Sequence, residues 1–123
     1  MRRTRTVPAL EVCDLDLPGA AGVAVRGVID PAGAELLAAA LEDAVTASAG
    51  GFLVDLREVV AMDPSGVRAL LRARALLGRE ERRIALVGPS WPVRAVLEDV
   101  GVADLFATSA SARGALHAIG AAG

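Results

Sequence analysis

The sequence predicts an α/β fold with a mixed, mainly parallel sheet of about five strands, including an antiparallel edge strand, and about four helices. Three observations support this. Strand and helix patterns alternate from Val23 onward, which favours parallel strands joined by right-handed crossovers. A Pro/Gly-rich turn separates the strand that begins at Val23 from an earlier strand pattern. Ile84–Val87 is wholly apolar, as in a strand covered on both faces.

The N-terminal segments predict a tail and a hairpin. We expect residues 1–6, which are locally basic, to be a frayed terminus. Val7–Leu15 is predicted as the first strand, and Leu17–Gly22 as the turn that follows. Residues 23–29 alternate in polarity and predict the second strand, so the pair should form an antiparallel hairpin.

The remainder predicts alternating helices and strands. Asp30-Pro31 and Asp63-Pro64 each place a capping acid before a proline at the first helical position. Further helices should begin at Pro92, ending at the cap Gly101, and at Ser109 or Ser111. The remaining predicted strands are residues 52–56, 84–87 and 105–107.

Loops that follow parallel strands meet at one edge of the sheet, which we call the C-terminal rim. The sequence places three predicted loops there: Asp30–Gly33, Arg57–Asp63 and Gly88–Pro92. The helix start at Asp63 should therefore lie beside two segments that are distant in sequence.

Composition limits the function classes. The 123 residues are 54% hydrophobic with a net charge of -2, which predicts one globular domain over 1–123 without a nucleic-acid surface. No apolar run reaches the ~18 residues of a membrane span. The one cysteine, Cys13, allows no internal disulfide and fits a reducing cytoplasm. His117 lacks metal-ligating companions, so we expect neither a metal nor a cofactor.

The most informative stretch is Gly51–Gly66. It runs from an apolar strand through Asp63-Pro64 to a hydroxyl, Ser65, on the first turn of a helix. Backbone N–H groups are unpaired there and the helix dipole is positive, which suits a phosphate. Gly66 is a poor helix former, and close approach of another protein to Ser65 would explain it. The alternative is that these residues simply start a helix.

These residues resemble the signature of the STAS family, the domain shared by anti-sigma factor antagonists and sulfate transporters. The matching segments are Val54-Asp55-Leu56, Met62–Gly66, Arg26–Asp30, Ile84–Val87, Val93–Leu97, Val100–Val102, Leu105-Phe106 and Ala115-Leu116. The resemblance covers nearly the whole chain and implies a STAS-like fold.

The resemblance implies that Ser65 is the phosphoacceptor of an anti-sigma factor antagonist. An anti-sigma factor that is itself a serine kinase would bind the C-terminal rim, phosphorylation would break the complex, and a serine phosphatase would restore it. The residues expected to contact the partner or support the phosphosite are Asp30, Asp55, Asp63, Pro64, Gly66 and Trp91. Pro64 departs from the family, which often has Ser or Thr there, and so removes a neighbouring hydroxyl.

Two other functions are considered. One is a STAS adaptor or scaffold subunit, in stress signalling or with a transporter, that is not phosphorylated. The other is an enzyme, which the sequence disfavours because it has one histidine, no Gly-x-Ser-x-Gly and no lysine for a phosphate-binding loop. Trp91 is either a core anchor or an interface hot spot, and the sequence leaves this open.

Overall fold

The sheet has six strands, and their order in space follows their order in the chain. The computed structural model describes residues 3–120. The strands are β1 (Thr4–Val7), β2 (Leu10–Leu17), β3 (Ala20–Ile29), β4 (Gly51–Met62), β5 (Ile84–Val87) and β6 (Ala107–Ser109).

Within residues 3–120, four α-helices connect or follow these strands. They are α1 (Pro31–Thr46), α2 (Pro64–Gly78), α3 (Trp91–Val100) and α4 (Ala112–Ala118). Strand β1 pairs antiparallel with β2, and β2 pairs antiparallel with β3. The pairs β3–β4, β4–β5 and β5–β6 are parallel. The predicted hairpin and the mainly parallel sheet are confirmed.

Residues 4–7 form strand β1, whereas residues 1–6 were expected to be a frayed tail. Thr4–Val7 pairs with β2 in the register Thr4↔Cys13 to Val7↔Leu10. The Arg5 side chain forms an ion pair with Asp43 of α1, and Val7 packs against the core. Residues 4–6 are therefore ordered by the sheet and a helix, whereas residues 1 and 2 lie outside the described part of the chain.

Residues 57–62 belong to strand β4, whereas they were expected to be part of a loop. The strand continues to Met62 and pairs with β3 as far as Ile29↔Met62. Its register shifts twice, between Ala24 and Arg26 and between Gly27 and Val28, and each shift leaves an extra residue on β4. These bulges break the alternation of polar and apolar residues, so the sequence pattern resembles a loop.

The C-terminal segments differ in detail from the prediction. Residues 103–105 form a short 3₁₀ turn, and the last strand lies at Ala107–Ser109 instead of residues 105–107. Gly101 has a left-handed backbone with φ 82° and ends α3 as predicted. Ser111, one of the two predicted alternatives, caps α4 by accepting from the N–H of Gly114 at 3.1 Å.

The two faces of the sheet are covered unequally. The larger core joins one face of the sheet, through residues such as Phe52, Val54 and Leu86, to helices α1, α2 and α3. The smaller core joins the opposite face, through Leu53, Ala85 and Val87, to α4. Three crossover helices therefore lie on one face, and their starts meet the C-terminal rim. Within residues 3–120, no helix is both long and apolar enough to cross a membrane.

Candidate functional site

Two helix starts lie side by side at the C-terminal rim. Ile29 and Met62 are register partners, and the next residue, Asp63, donates its backbone N–H to the carbonyl of Ile29 at 2.7 Å. Both helices begin with the same local pattern, Asp30-Pro31-Ala32-Gly33 and Asp63-Pro64-Ser65-Gly66. The two starts differ at their third position, where only α2 carries a hydroxyl.

Both aspartates cap their helices, as predicted. The Asp30 carboxylate accepts from the N–H of Gly33 at 2.7 Å, and the Asp63 carboxylate accepts from the N–H of Ser65 at 2.8 Å. Pro31 and Pro64 occupy the first helical position, where a missing N–H costs nothing. The sequence therefore specifies both helix starts by local interactions.

The Ser65 hydroxyl is half-buried and held by Asp63. It donates to Oδ2 of Asp63 at 2.5 Å, the same oxygen that accepts the Ser65 N–H. The bond from the Ser65 hydroxyl, followed by the bond from its N–H, lowers the pKa of Asp63; desolvation opposes them with a smaller effect, and the charge of Arg68 adds the smallest lowering. Asp63 is therefore a carboxylate at neutral pH, and it fixes the direction of the hydroxyl.

The first turn of α2 does not offer the free N–H groups that the sequence suggested. Pro64 has none, and the N–H of Ser65 is taken by the Asp63 carboxylate. The N–H of Gly66 donates to the carbonyl of Asp63 at 2.8 Å. An anion attached to Ser65 would therefore have to compete with Asp63 for the N–H of Ser65.

Gly66 also has a different explanation from the one expected. It is buried, and a Cβ at this position would lie 2.8 Å from Cγ of Met62 and 2.9 Å from Cγ2 of Ile29. The glycine lets the start of α2 pack against the ends of β3 and β4. Access of a partner to Ser65 is not needed to explain it.

Asp55 does not lie beside Ser65, contrary to expectation. Because β4 continues to Met62, the seven residue steps from Asp55 to Met62 span up to about 23 Å of strand at ~3.3 Å per residue. The Asp55 carboxylate instead binds the guanidinium of Arg57 at 2.7 and 3.1 Å. This ion pair raises the pKa of Arg57, and both oxygens of the Asp55 carboxylate accept from that guanidinium.

Trp91 is a surface residue, so the core-anchor alternative is wrong. The residue is 72% exposed at the first position of α3, and Val60 is 67% exposed on β4. The Ser90 hydroxyl links the two elements by donating to the carbonyl of Val59 at 2.7 Å. Val60 and Trp91 are therefore exposed apolar residues on two elements that this bond joins close to the rim, and we call the pair the Val60–Trp91 surface.

Val60, Ser90 and Arg68 were not predicted from the sequence as part of the site. Val60 was assigned to a loop, and its exposure follows from the bulge between the register pairs Gly27↔Val59 and Val28↔Ala61. Ser90 carries no signal beyond its place before a helix, because its contact with β4 is not local. Arg68 could have been found from its spacing, since residues three apart on a helix are neighbours.

The fold and the site together define an α/β domain with a one-sided set of crossover helices and a hydroxyl at one of two matched helix starts. A family model described as "MlaB, STAS domain" matches residues 13–107. The chain belongs to the STAS domain family. Comparison with curated proteins gave no significant match.

Solved structures of anti-sigma factor antagonists share this fold. One from Mycobacterium paratuberculosis is 24% identical with a TM-score of 0.82, covering 94% of this chain and 98% of the other. The antagonist SpoIIAA in its unphosphorylated form is 18% identical with a TM-score of 0.72, covering 100% of both chains. The Bacillus cell fate determinant SpoIIAA in its phosphorylated form is 18% identical with a TM-score of 0.64, covering 97% and 99%.

Proposed function

We propose that this protein is a cytoplasmic anti-sigma factor antagonist that binds an anti-sigma factor serine kinase and is switched off when Ser65 is phosphorylated. A serine phosphatase would reverse the modification. The observation that carries the proposal is the half-buried Ser65 hydroxyl, held at the C-terminal rim near an exposed apolar surface. The similarity to SpoIIAA, solved in both phosphorylated and unphosphorylated forms, supports it.

The Val60–Trp91 surface supports a role in binding. Tryptophan is enriched among the residues that dominate the binding energy of protein interfaces. It contributes that energy when it becomes buried in the complex. Here the single tryptophan of the chain is exposed, and the residue before it, Ser90, is hydrogen-bonded to β4, the strand that leads to Asp63 and Ser65. A partner that covers Trp91 and the start of α2 together would bring Ser65 into the interface.

A phosphate would then act through its charge. It adds about -1.5 to -2 charges at pH 7, and burying that charge without a cationic partner is costly. Asp30 and Asp63 already place two carboxylates at these helix starts. The added charge should therefore break the complex without unfolding the domain.

A second candidate is a STAS adaptor or scaffold subunit that is not phosphorylated. The observation in its favour is that the hydrogen bond from Ser65 to Asp63 stabilises the start of α2 without any modification. Pro64 also favours the adaptor, because a rigid residue beside Ser65 limits the backbone conformations in which a kinase could bind the serine.

Charge at position 65 should control the affinity for the kinase. We expect Ser65→Ala to bind like wild type and Ser65→Asp to bind more than tenfold more weakly, roughly 1.4 kcal/mol or more. Ala32→Asp is the matched control, since it adds the same charge at the equivalent position of α1. Isothermal titration calorimetry against the purified kinase measures all four affinities.

The outcomes separate the two candidates. Equal affinities of Ser65→Ala and Ser65→Asp would remove the charge switch. Wild type should also gain one phosphate with the kinase and ATP, seen by mass spectrometry, whereas Ser65→Ala should gain none. A kinase that binds wild type but never modifies it would favour the adaptor.

A further inference from the structure

We propose that Asp63 is a positioning residue that destabilises phosphorylated Ser65 and so keeps the switch reversible. This rests on the proposed function, because it concerns the same serine. The expectation from sequence was the opposite: that the start of α2 would favour a phosphate. The contacts of Asp63 with Ser65 are the reason why the proposal differs from that expectation.

In the unmodified protein, one carboxylate oxygen of Asp63 accepts two hydrogen bonds from the same residue. They are the bond from the Ser65 N–H at 2.8 Å and the bond from its hydroxyl at 2.5 Å. Both the nucleophilic oxygen and the backbone that carries it are thus held by Asp63. The arrangement fixes the hydroxyl before any kinase arrives.

Phosphorylation removes one of these bonds and opposes the other. The Oγ–P bond forms as the bond between the γ-phosphorus of ATP and its bridging oxygen breaks, so ADP leaves and the hydroxyl proton is released to the kinase or solvent. Ser65 then has no proton to donate to Asp63, and a phosphate stands beside a carboxylate. Both anions compete for the N–H of Ser65, because Pro64 has none and the N–H of Gly66 is bound to the carbonyl of Asp63.

Hydrolysis reverses these changes. Water attacks phosphorus, the P–Oγ bond breaks, inorganic phosphate leaves, and Oγ regains a proton. The hydrogen bond to Asp63 can then form again. The same carboxylate therefore orients the unmodified serine and opposes the modified one.

The charged groups around position 65 have opposite effects on a phosphate. Asp63 lies in contact with Ser65, and Asp30 lies at the end of the adjacent strand. Arg68 lies three residues further along α2, close enough for its charge to lower the pKa of Asp63. A negative neighbour raises the second pKa of a phosphate, ordinarily about 6, and a positive one lowers it.

The test introduces phosphoserine in place of Ser65 during translation, so it needs no cognate kinase. Phosphorus-31 NMR then gives the second pKa of the phosphate as pH is varied. We expect Asp63→Asn to lower this pKa by about half a unit, roughly a threefold change in the proton-binding constant, because the charge is lost while a capping oxygen remains. Asp63→Ser, a second uncharged cap, should shift it in the same direction.

Asp30→Asn is the matched control, because it alters the equivalent cap of α1 without touching Ser65. It should shift the pKa several-fold less than Asp63→Asn. Arg68→Gln should shift it upward. If both Asp63 variants remain folded and give the same phosphate pKa as Asp30→Asn, the proposal is wrong. That result would leave the proposed function intact, whereas failure of the kinase to modify Ser65 would remove the function without affecting this measurement.

Discussion

At the scale of single residues, two glycines of α2 differ in what an added Cβ would contact, so packing outweighs helix propensity at only one of them. Glycine costs up to about 1 kcal/mol relative to alanine inside a helix. Gly78, at the end of α2, faces open space, because a Cβ there would have nothing within 4 Å apart from its chain neighbours and the backbone of its own helix. Gly66, at the start of the same helix, would place its Cβ against Met62 and Ile29.

Alanine should therefore have opposite effects at the two positions. We expect Gly66→Ala to lower the free energy of unfolding by about 1–3 kcal/mol, because the buried β3 and β4 ends must shift. Gly78→Ala should raise it by up to about 1 kcal/mol. Urea denaturation measures both, and a stabilising Gly66→Ala would show that the end of β4 repacks freely.

The residues of the site divide by the range of their interactions. The caps at Asp30 and Asp63 were predictable, because each bond joins residues two or three apart. The reason for Gly66 and the position of Asp55 were not, because they depend on β3 and on the length of β4. The exposure of Trp91 likewise depends on how α3 is seated on β4.

At the scale of elements, Arg82 joins the end of α1 to the start of β4. Its guanidinium donates to the carbonyl of Val45 at 2.9 Å, to the carbonyl of Gly50 at 2.7 Å and to the Ser48 hydroxyl at 2.8 Å. The side chain is 8% exposed. No role for Arg82 was predicted from the sequence, since a guanidinium that caps a distant helix has no local pattern.

Removing the Arg82 guanidinium should lower the free energy of unfolding more than removing the charge of an exposed side chain. We expect Arg82→Ala to lower the free energy of unfolding by about 2–4 kcal/mol, because several carbonyl and hydroxyl groups lose their donor. Arg82→Lys should recover only part, since an ammonium cannot span the three acceptors. Arg83→Ala, at the exposed neighbour, should change the stability by less than about 0.5 kcal/mol; equal losses at both positions would contradict this role.

The elements themselves were predictable where their patterns are regular. Helices α1 and α2 each begin with a capping acid and a proline, and β5 is uniformly apolar, so both helix starts and β5 were predicted where they lie. Strand β1 was missed because its order comes from an ion pair with α1 and from pairing with β2. The end of β4 was missed because two bulges interrupt its alternation.

At the scale of the whole molecule, the core and the proposed switch are separate. Both hydrophobic clusters lie between the sheet and its helices, whereas the Ser65 side chain lies at the rim with its hydrogen bond confined to Asp63. The nearest charged groups also oppose one another, because Asp63 disfavours a new negative charge while Arg68 and the dipole of α2 favour it.

Negative charge at position 65 should therefore change binding without changing the stability of the fold. We expect Ser65→Asp and Ser65→Ala, which both lose the hydrogen bond to Asp63, to lower the free energy of unfolding at pH 7 by similar amounts, about 0.5–1.5 kcal/mol each. Calorimetric melting of the three proteins, in the same buffer used for kinase binding, measures this. A loss of several degrees in Ser65→Asp alone would mean that its weaker binding reflects partial unfolding, and the proposed switch would then act on the fold instead of on the interface.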